Sequence, residues 1–114
     1  MVWELGPYRL DAARRELRRG HEPVSIEPKP LALLIVLAQN HPAPLSHEAL
    51  TERLWPDLHV TPSSLTRAVG ALRSALGERA ESRGLVRTVH GYGYRLDPAA
   101  CALVNPEEIP SRSR

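Results

Sequence analysis

The stretch TPSSLTRAVGALRSALG, residues 61–77, and the stretch LVRTVHGYGYRL, residues 85–96, decide how the rest of the chain is read. In the first, Thr61 suits a helix cap, Pro62 suits the first helical position, and Gly77 stands just past the end. Leu65, Val69, Leu72 and Leu76, with Ala68 and Ala75 beside them, make one apolar stripe at helical spacing. The remaining face carries Ser63, Thr66, Arg67, Gly70, Arg73 and Ser74 and is small, polar and positive. In the second stretch, residues 85–89 read as a strand, His90-Gly91-Tyr92-Gly93 as a turn, and residues 94–96 as the returning strand.

Upstream of this helix the same signals mark two more. Pro28 can open a helix at its first position, and Leu31, Leu34, Ile35 and Ala38 trace a stripe that Leu33, Val36 and Leu37 widen. A helix apolar on most of its surface is expected to be buried, and it should end near Asn40-His41-Pro42. The next helix follows Ser46, which can cap its free N–H groups, with Glu48 favourably placed in the first turn. Leu50 and Leu54 lie on one face, Trp55 stands at the end, and Pro56-Asp57 breaks the chain. Before residue 26, Trp3, Leu5, Tyr8 and Leu10 alternate around a Gly6-Pro7 turn, and Leu17 and Val24 flank a tight turn at Gly20. Three or four short antiparallel strands are expected there.

Sheet, three helices and hairpin is the order of an α+β winged helix-turn-helix: a small N-terminal antiparallel sheet, a pair of helices that presents a reading helix, and a C-terminal β-hairpin wing. The expected domain runs over residues 1–97, with the sheet in 1–25, the helices in 27–77 and the wing in 85–96. Residues 98–114 show no periodicity and are expected to form a flexible tail or linker.

Composition narrows the function. A hydrophobic fraction of 42% with no Phe is that of an ordinary globular domain whose core rests on Leu, Val, Ala and two Trp. The longest apolar run, at residues 31–38, is too short to span a bilayer, so no membrane contact is expected within this segment. The first residues lack the basic and apolar pattern of a signal peptide, and one cysteine, Cys101, fits a reducing, cytoplasmic setting. The net charge of +2 is unevenly spread: residues 59–95 hold six arginines against two glutamates, +4, which leaves −2 on the rest. Such a basic half suggests a polyanion on one face, although an arginine-rich solvated surface would look the same. His21, His41, His47, His59 and His90 are scattered without metal-ligand spacing. Ser46-His47-Glu48 are consecutive on a helix start, so their side chains diverge and cannot form a relay. Gly91-Tyr92-Gly93 is not a phosphate loop. No enzyme, metal or cofactor is expected.

At this point the chain resembles the C-terminal effector domain of OmpR/PhoB-type transcriptional regulators. Four stretches carry the resemblance: Glu27-Pro28-Lys29 opening an apolar helix; Leu45-Ser46 through Leu54-Trp55; Leu65-Thr66-Arg67-Ala68-Val69 through Leu72-Arg73-Ser74-Ala75-Leu76; and residues 86–95, VRTVHGYGYR. The last is the most specific, since a strand, a two-glycine turn and an aromatic rarely fall in that order by chance. The resemblance implies a four-stranded N-terminal sheet and a third helix that reads double-stranded DNA in the major groove. It also implies a wing on phosphates or the minor groove, and head-to-tail pairing of chains on direct repeats. The loop Asp57, Leu58 and His59 is implied as a contact for RNA polymerase. Most members carry a receiver domain before this module, whereas here Met1 begins it directly. The Ser64-Leu65-Thr66-Arg67-Ala68 form is similar to variants at the N-terminus of longer regulators, so either the N-terminal part of such a protein or a small complete regulator is expected.

The residues assign themselves to two roles. Arg67, near the start of the third helix, should meet base edges, where a guanidinium can donate two bonds to guanine; a phosphate or internal ion pair is the alternative. Ser63 and Thr66 join it for base readout, or serve only as polar surface. Ser64, Trp55, Arg73, Arg87, Thr88, His90 and Tyr92 are expected on the DNA backbone or in the wing, with Arg73 either on a phosphate or bridging to the wing. Arg73, like Arg67, is expected on a solvated face, where its loss would leave stability almost unchanged. Tyr94 should pack inward. Gly70-Ala71 stand where many relatives place basic residues, which leaves more of the anchoring to Arg67 and Arg73. The competing function is a winged-helix protein-interaction module that does not bind DNA.

Overall fold

Pro28 and Pro62 each stand at the first turn of a helix whose opening N–H groups have no partner in any case, and both helices begin there: α1 at Pro28–Asn40 and α3 at Pro62–Ala75. The computed structural model describes residues 1–77, 84–97 and 101–104. Between α1 and α3, α2 spans His47–Leu54, and Ser46 caps it by accepting a bond from the Ala49 amide at 3.0 Å. At α3 the expected cap is only half realised. Thr61 holds the cap position, but its hydroxyl lies 2.7 Å from that of Ser63 and bonds no helix amide. The helix stops at Leu76, followed by Gly77 at φ 70°, a left-handed conformation that glycine adopts without steric cost.

Four strands precede the helices, β1 (Val2–Leu5), β2 (Tyr8–Asp11), β3 (Glu16–Arg19) and β4 (Glu22–Pro23), as a meander. Beyond them in the chain, β5 (Leu45–Ser46) precedes α2, and the hairpin is β6 (Val86–Val89) with β7 (Gly93–Leu96). Gly93, read in the sequence as part of the turn, is the first residue of β7. β5 has no pattern of its own, being two residues long, and exists because β7 pairs with it, Leu45 opposite Tyr94 and Ser46 opposite Gly93. The sheet order is β5-β7-β6.

The expected loose tail over residues 98–114 is corrected at Cys101–Val104. These residues form β8, antiparallel to β1 with Leu5 opposite Cys101, and extend the first sheet to β4-β3-β2-β1-β8. The physical reason is the open edge of β1, whose unpaired N–H and C=O groups accept any strand that returns beside it. Residues 98–100 and 105–114 lie outside the described residues. Burial of Cys101 pushes its thiol pKa up, which favours the neutral thiol.

The core lies between the first sheet and the helices. Trp3, Leu5, Tyr8, Leu10 and Leu17 cover one side, and α1 supplies Leu31, Leu33, Leu34, Ile35, Leu37 and Ala38. The breadth of that buried face bears out the expectation that α1 is buried. The third helix packs on α1 through Leu65, Ala68, Val69 and Leu72. The Tyr8 hydroxyl donates to the Leu76 carbonyl at 2.7 Å in a buried contact, tying the first sheet to the end of α3. Among the described residues no helix is long and apolar enough to cross a membrane.

Two glycines should respond oppositely to a methyl group. A Cβ on Gly93 would stand 1.9 Å from the Leu45 carbonyl oxygen, whereas one on Gly70 would meet nothing within 4 Å. Gly93→Ala should therefore lower the thermal midpoint sharply, and Gly70→Ala should raise stability by up to about 1 kcal/mol through helix propensity. Melting curves of the two variants check both signs.

Candidate nucleic-acid interface

Successive residues of a helix turn by about 100°, so Ser63, Thr66, Arg67, Gly70 and Ser74 fall on one side of α3. All five are exposed. Thr66 sends its hydroxyl back to the Pro62 carbonyl at 3.4 Å, and Ser63 shares its hydroxyl with Thr61. Both retain lone pairs toward solvent. The Arg67 side chain makes no hydrogen bond or ion pair among the described residues and projects from the middle of this face. Ser64 is half-buried and turned away from it; its amide donates to the Thr61 carbonyl at 2.9 Å.

Arg73 departs from the solvated position expected for it. It lies six residues beyond Arg67, about 240° around the helix, which puts it at the Thr66 edge of the exposed face, on the side nearest the hairpin. There its Nη2 donates to the Val86 carbonyl at 3.0 Å and to the Thr88 hydroxyl at 2.9 Å. Of the two roles open to Arg73, the geometry contains the bridge to the wing. Arg87 is likewise engaged: its Nη2 lies 3.2 Å from Asp97 Oδ2, while its buried Nε has no partner among the described residues. Its charge is compensated within the domain.

The wing tip is open. His90 and Tyr92 are exposed, Tyr92 at 48%, on a turn closed by the Tyr92 amide donating to the Val89 carbonyl at 2.9 Å. Gly91 in that turn has φ 69°. The turn is held from behind, because the His47 amide donates to the Tyr92 carbonyl at 3.0 Å. Tyr94 is buried, as expected, with the His47 ring edge-on to it at 5.4 Å.

Trp55 at the end of α2 is half-buried. The signal missed in the sequence is its neighbour Lys29, whose Nζ lies 5.4 Å from the Trp55 ring centroid and donates to the Leu54 carbonyl at 2.6 Å. A lysine in the first turn of a preceding helix gave no hint of this, since its partner lies 25 residues on. Trp55 also lines an open groove of about 960 Å³ between α2, the following loop and the start of α3, with Glu48, Glu52, Asp57, Leu58 and Thr66. In that loop Asp57 has φ 66°, Leu58 is 64% exposed and His59 is exposed. Among the described residues no group of three or more His, Cys, Asp or Glu is placed to hold a metal ion.

Residues 21–96 match the family model described as "Transcriptional regulatory protein, C terminal". The chain is 34% identical over 95 residues to transcriptional regulator HilA of Salmonella typhimurium, covering 83% of this chain and 17% of that protein. It is 35% identical over 92 residues to transcriptional regulatory protein QseB of Escherichia coli O157:H7, covering 80% and 40% respectively. The chain thus spans less than half the length of either relative. Its fold is similar to the RstA DNA-binding domain of Klebsiella pneumoniae, solved in complex with the RstA box, with a TM-score of 0.76, 23% identity and coverage of 85% and 97%. The E. coli CadC DNA-binding domain gives a TM-score of 0.76 at 24% identity, with coverage of 90% and 96%.

Removal of the Arg67 side chain should leave the fold untouched, because that side chain contacts solvent. Arg67→Ala is expected to shift unfolding free energy by less than about 0.5 kcal/mol. Tyr8→Phe should cost about 1–3 kcal/mol, since it strands the buried Leu76 carbonyl. Urea titrations of the two variants measure the contrast.

Proposed function

The chain belongs to the family of C-terminal domains of transcriptional regulatory proteins, the OmpR/PhoB type, and on that premise we propose that it reads a specific duplex DNA sequence with α3 in the major groove. The observation that carries this reading is the exposed face of α3, where Arg67 stands without a partner among the described residues between Ser63, Thr66, Gly70 and Ser74. An unpaired guanidinium on a groove-sized helix can donate two parallel bonds to guanine, and the small residues beside it let the helix approach. Ser63 and Thr66 supply further hydroxyls to base edges or phosphates. Thr88, His90 and Tyr92 at the wing bond phosphates or enter the minor groove, and the indole N–H of Trp55 is a further donor at the end of α2. Arg87, paired with Asp97, adds little to this set.

Two partners extend the proposal. Chains bind head to tail on direct repeats, a reading supported by family membership. The loop of Asp57, Leu58 and His59 contacts RNA polymerase; its support is the exposure of Leu58 beside an acidic groove. The folded unit is proposed to run through residue 97 and to include β8, with the cytoplasm as its site of action.

Selection of bound sites from random duplex DNA, followed by footprinting, tests the central claim. A preferred site should emerge with two direct repeats, and log affinity should fall against log salt by about 0.9 for each phosphate neutralised. Arg67→Ala should weaken binding to the selected site by about 1–3 kcal/mol and leave scrambled DNA nearly unaffected. Equal losses on both duplexes would take Arg67 out of base readout. No enrichment and a flat salt response would favour the protein-interaction module.

A further inference from the structure

β6 is an edge strand of its sheet, so every second carbonyl along it faces away from β7. The Asp97 amide donates to the Leu85 carbonyl at 2.8 Å, which sets the alternation: Leu85 and Arg87 bond toward β7, while the main-chain groups of Val86 and Thr88 face outward. The outward carbonyl of Val86 therefore needs an acceptor's partner from outside the sheet. Arg73 provides it, and the other hydrogen of the same Nη2 goes to Thr88. The guanidinium carbon also lies 5.9 Å from the centroid of the Tyr94 ring on β7, whose edge contact with His47 comes from α2. One side chain of the reading helix thus touches both strands of the hairpin.

We propose that Arg73 is a positioning residue that sets the angle of the wing to α3, acting through Val86, Thr88 and Tyr94 instead of neutralising a phosphate. The consequence for binding rests on the DNA-reading function proposed above; the strut itself does not. A hairpin held at a fixed angle meets the duplex together with α3, without a separate ordering cost at the moment of binding. When the strut is lost, the wing moves independently and that cost reappears. The number of neutralised phosphates stays the same, so affinity falls while its salt dependence does not change.

The test uses the 114-residue chain with Arg73→Met, which keeps an apolar stem but removes the donors, and Thr88→Val, which removes one acceptor at an exposed position without changing shape. Hydrogen exchange of the Arg87, Arg95 and Asp97 amides in the DNA-free protein reads the strut directly. These amides should exchange about tenfold faster in Arg73→Met and measurably faster in Thr88→Val. On the selected DNA site, Arg73→Met should bind about tenfold more weakly with a salt slope within about a quarter unit of wild type. Unchanged wing exchange overturns the proposal, and so does a slope shallower by about one unit, the mark of a phosphate anchor. Should Arg73→Met fail to fold, the exchange result for Thr88→Val decides. If the wild-type chain selects no DNA site, the DNA-reading function fails, and the exchange measurements still decide the strut.

Discussion

The approach of β7 to β5 at Gly93 is the contact on which the arrangement of α2, α3 and the wing depends. The space where a Cβ would go is filled by the Leu45 carbonyl, so the main chains can pair there only because residue 93 has no side chain. On one side of this junction Ser46 leaves β5 and at once caps α2. On the other, Tyr94 is buried between His47 of α2 and Arg73 of α3. The His47 amide, bonded to the Tyr92 carbonyl, fixes the turn at the same point. Two helices and the hairpin are registered to one another over a few residues.

The first sheet supports this junction from behind. Its apolar side shares one core with α1, and Tyr8 reaches across to the carbonyl of Leu76, the residue that ends α3. With its C-terminal end held by Tyr8 and its flank by α1, α3 is a rigid platform for the side chains on its free face. β8 closes the opposite edge of the sheet against β1, which makes residues far apart in sequence part of one layer.

Charge is distributed by the same packing. The basic half of the chain suggests a broad positive surface, yet two of its arginines are spent internally, Arg73 on the wing and Arg87 on Asp97. Arg79 and Arg83 lie outside the described residues. Arg67 is a different case: it combines exposure, a central place on the helix face and no partner among the described residues. Composition counts guanidinium groups, whereas a binding surface depends on which of them still have donors facing solvent.

The helices, and the succession of sheet, helices and hairpin, are legible in the order of the amino acids alone. Pro28, Ser46, Pro62 and Gly77 act on main-chain groups within one helical turn, so their signals survive without any knowledge of the fold. The apolar stripe on α3 likewise identified the face left for solvent, and with it Ser63, Thr66 and Arg67. The packed fold settled whatever depends on a distant partner. It turned Arg73 to the hairpin 13 and 15 residues away, set Lys29 over Trp55, created β5 from two residues beside Gly93, and laid Cys101–Val104 along β1. It also gave the Thr61 hydroxyl to Ser63 instead of the helix end. A side chain with several donors, or a strand of a few residues, is compatible with many partners in the unfolded chain. The choice among them is made by what the packed core brings within hydrogen-bonding distance.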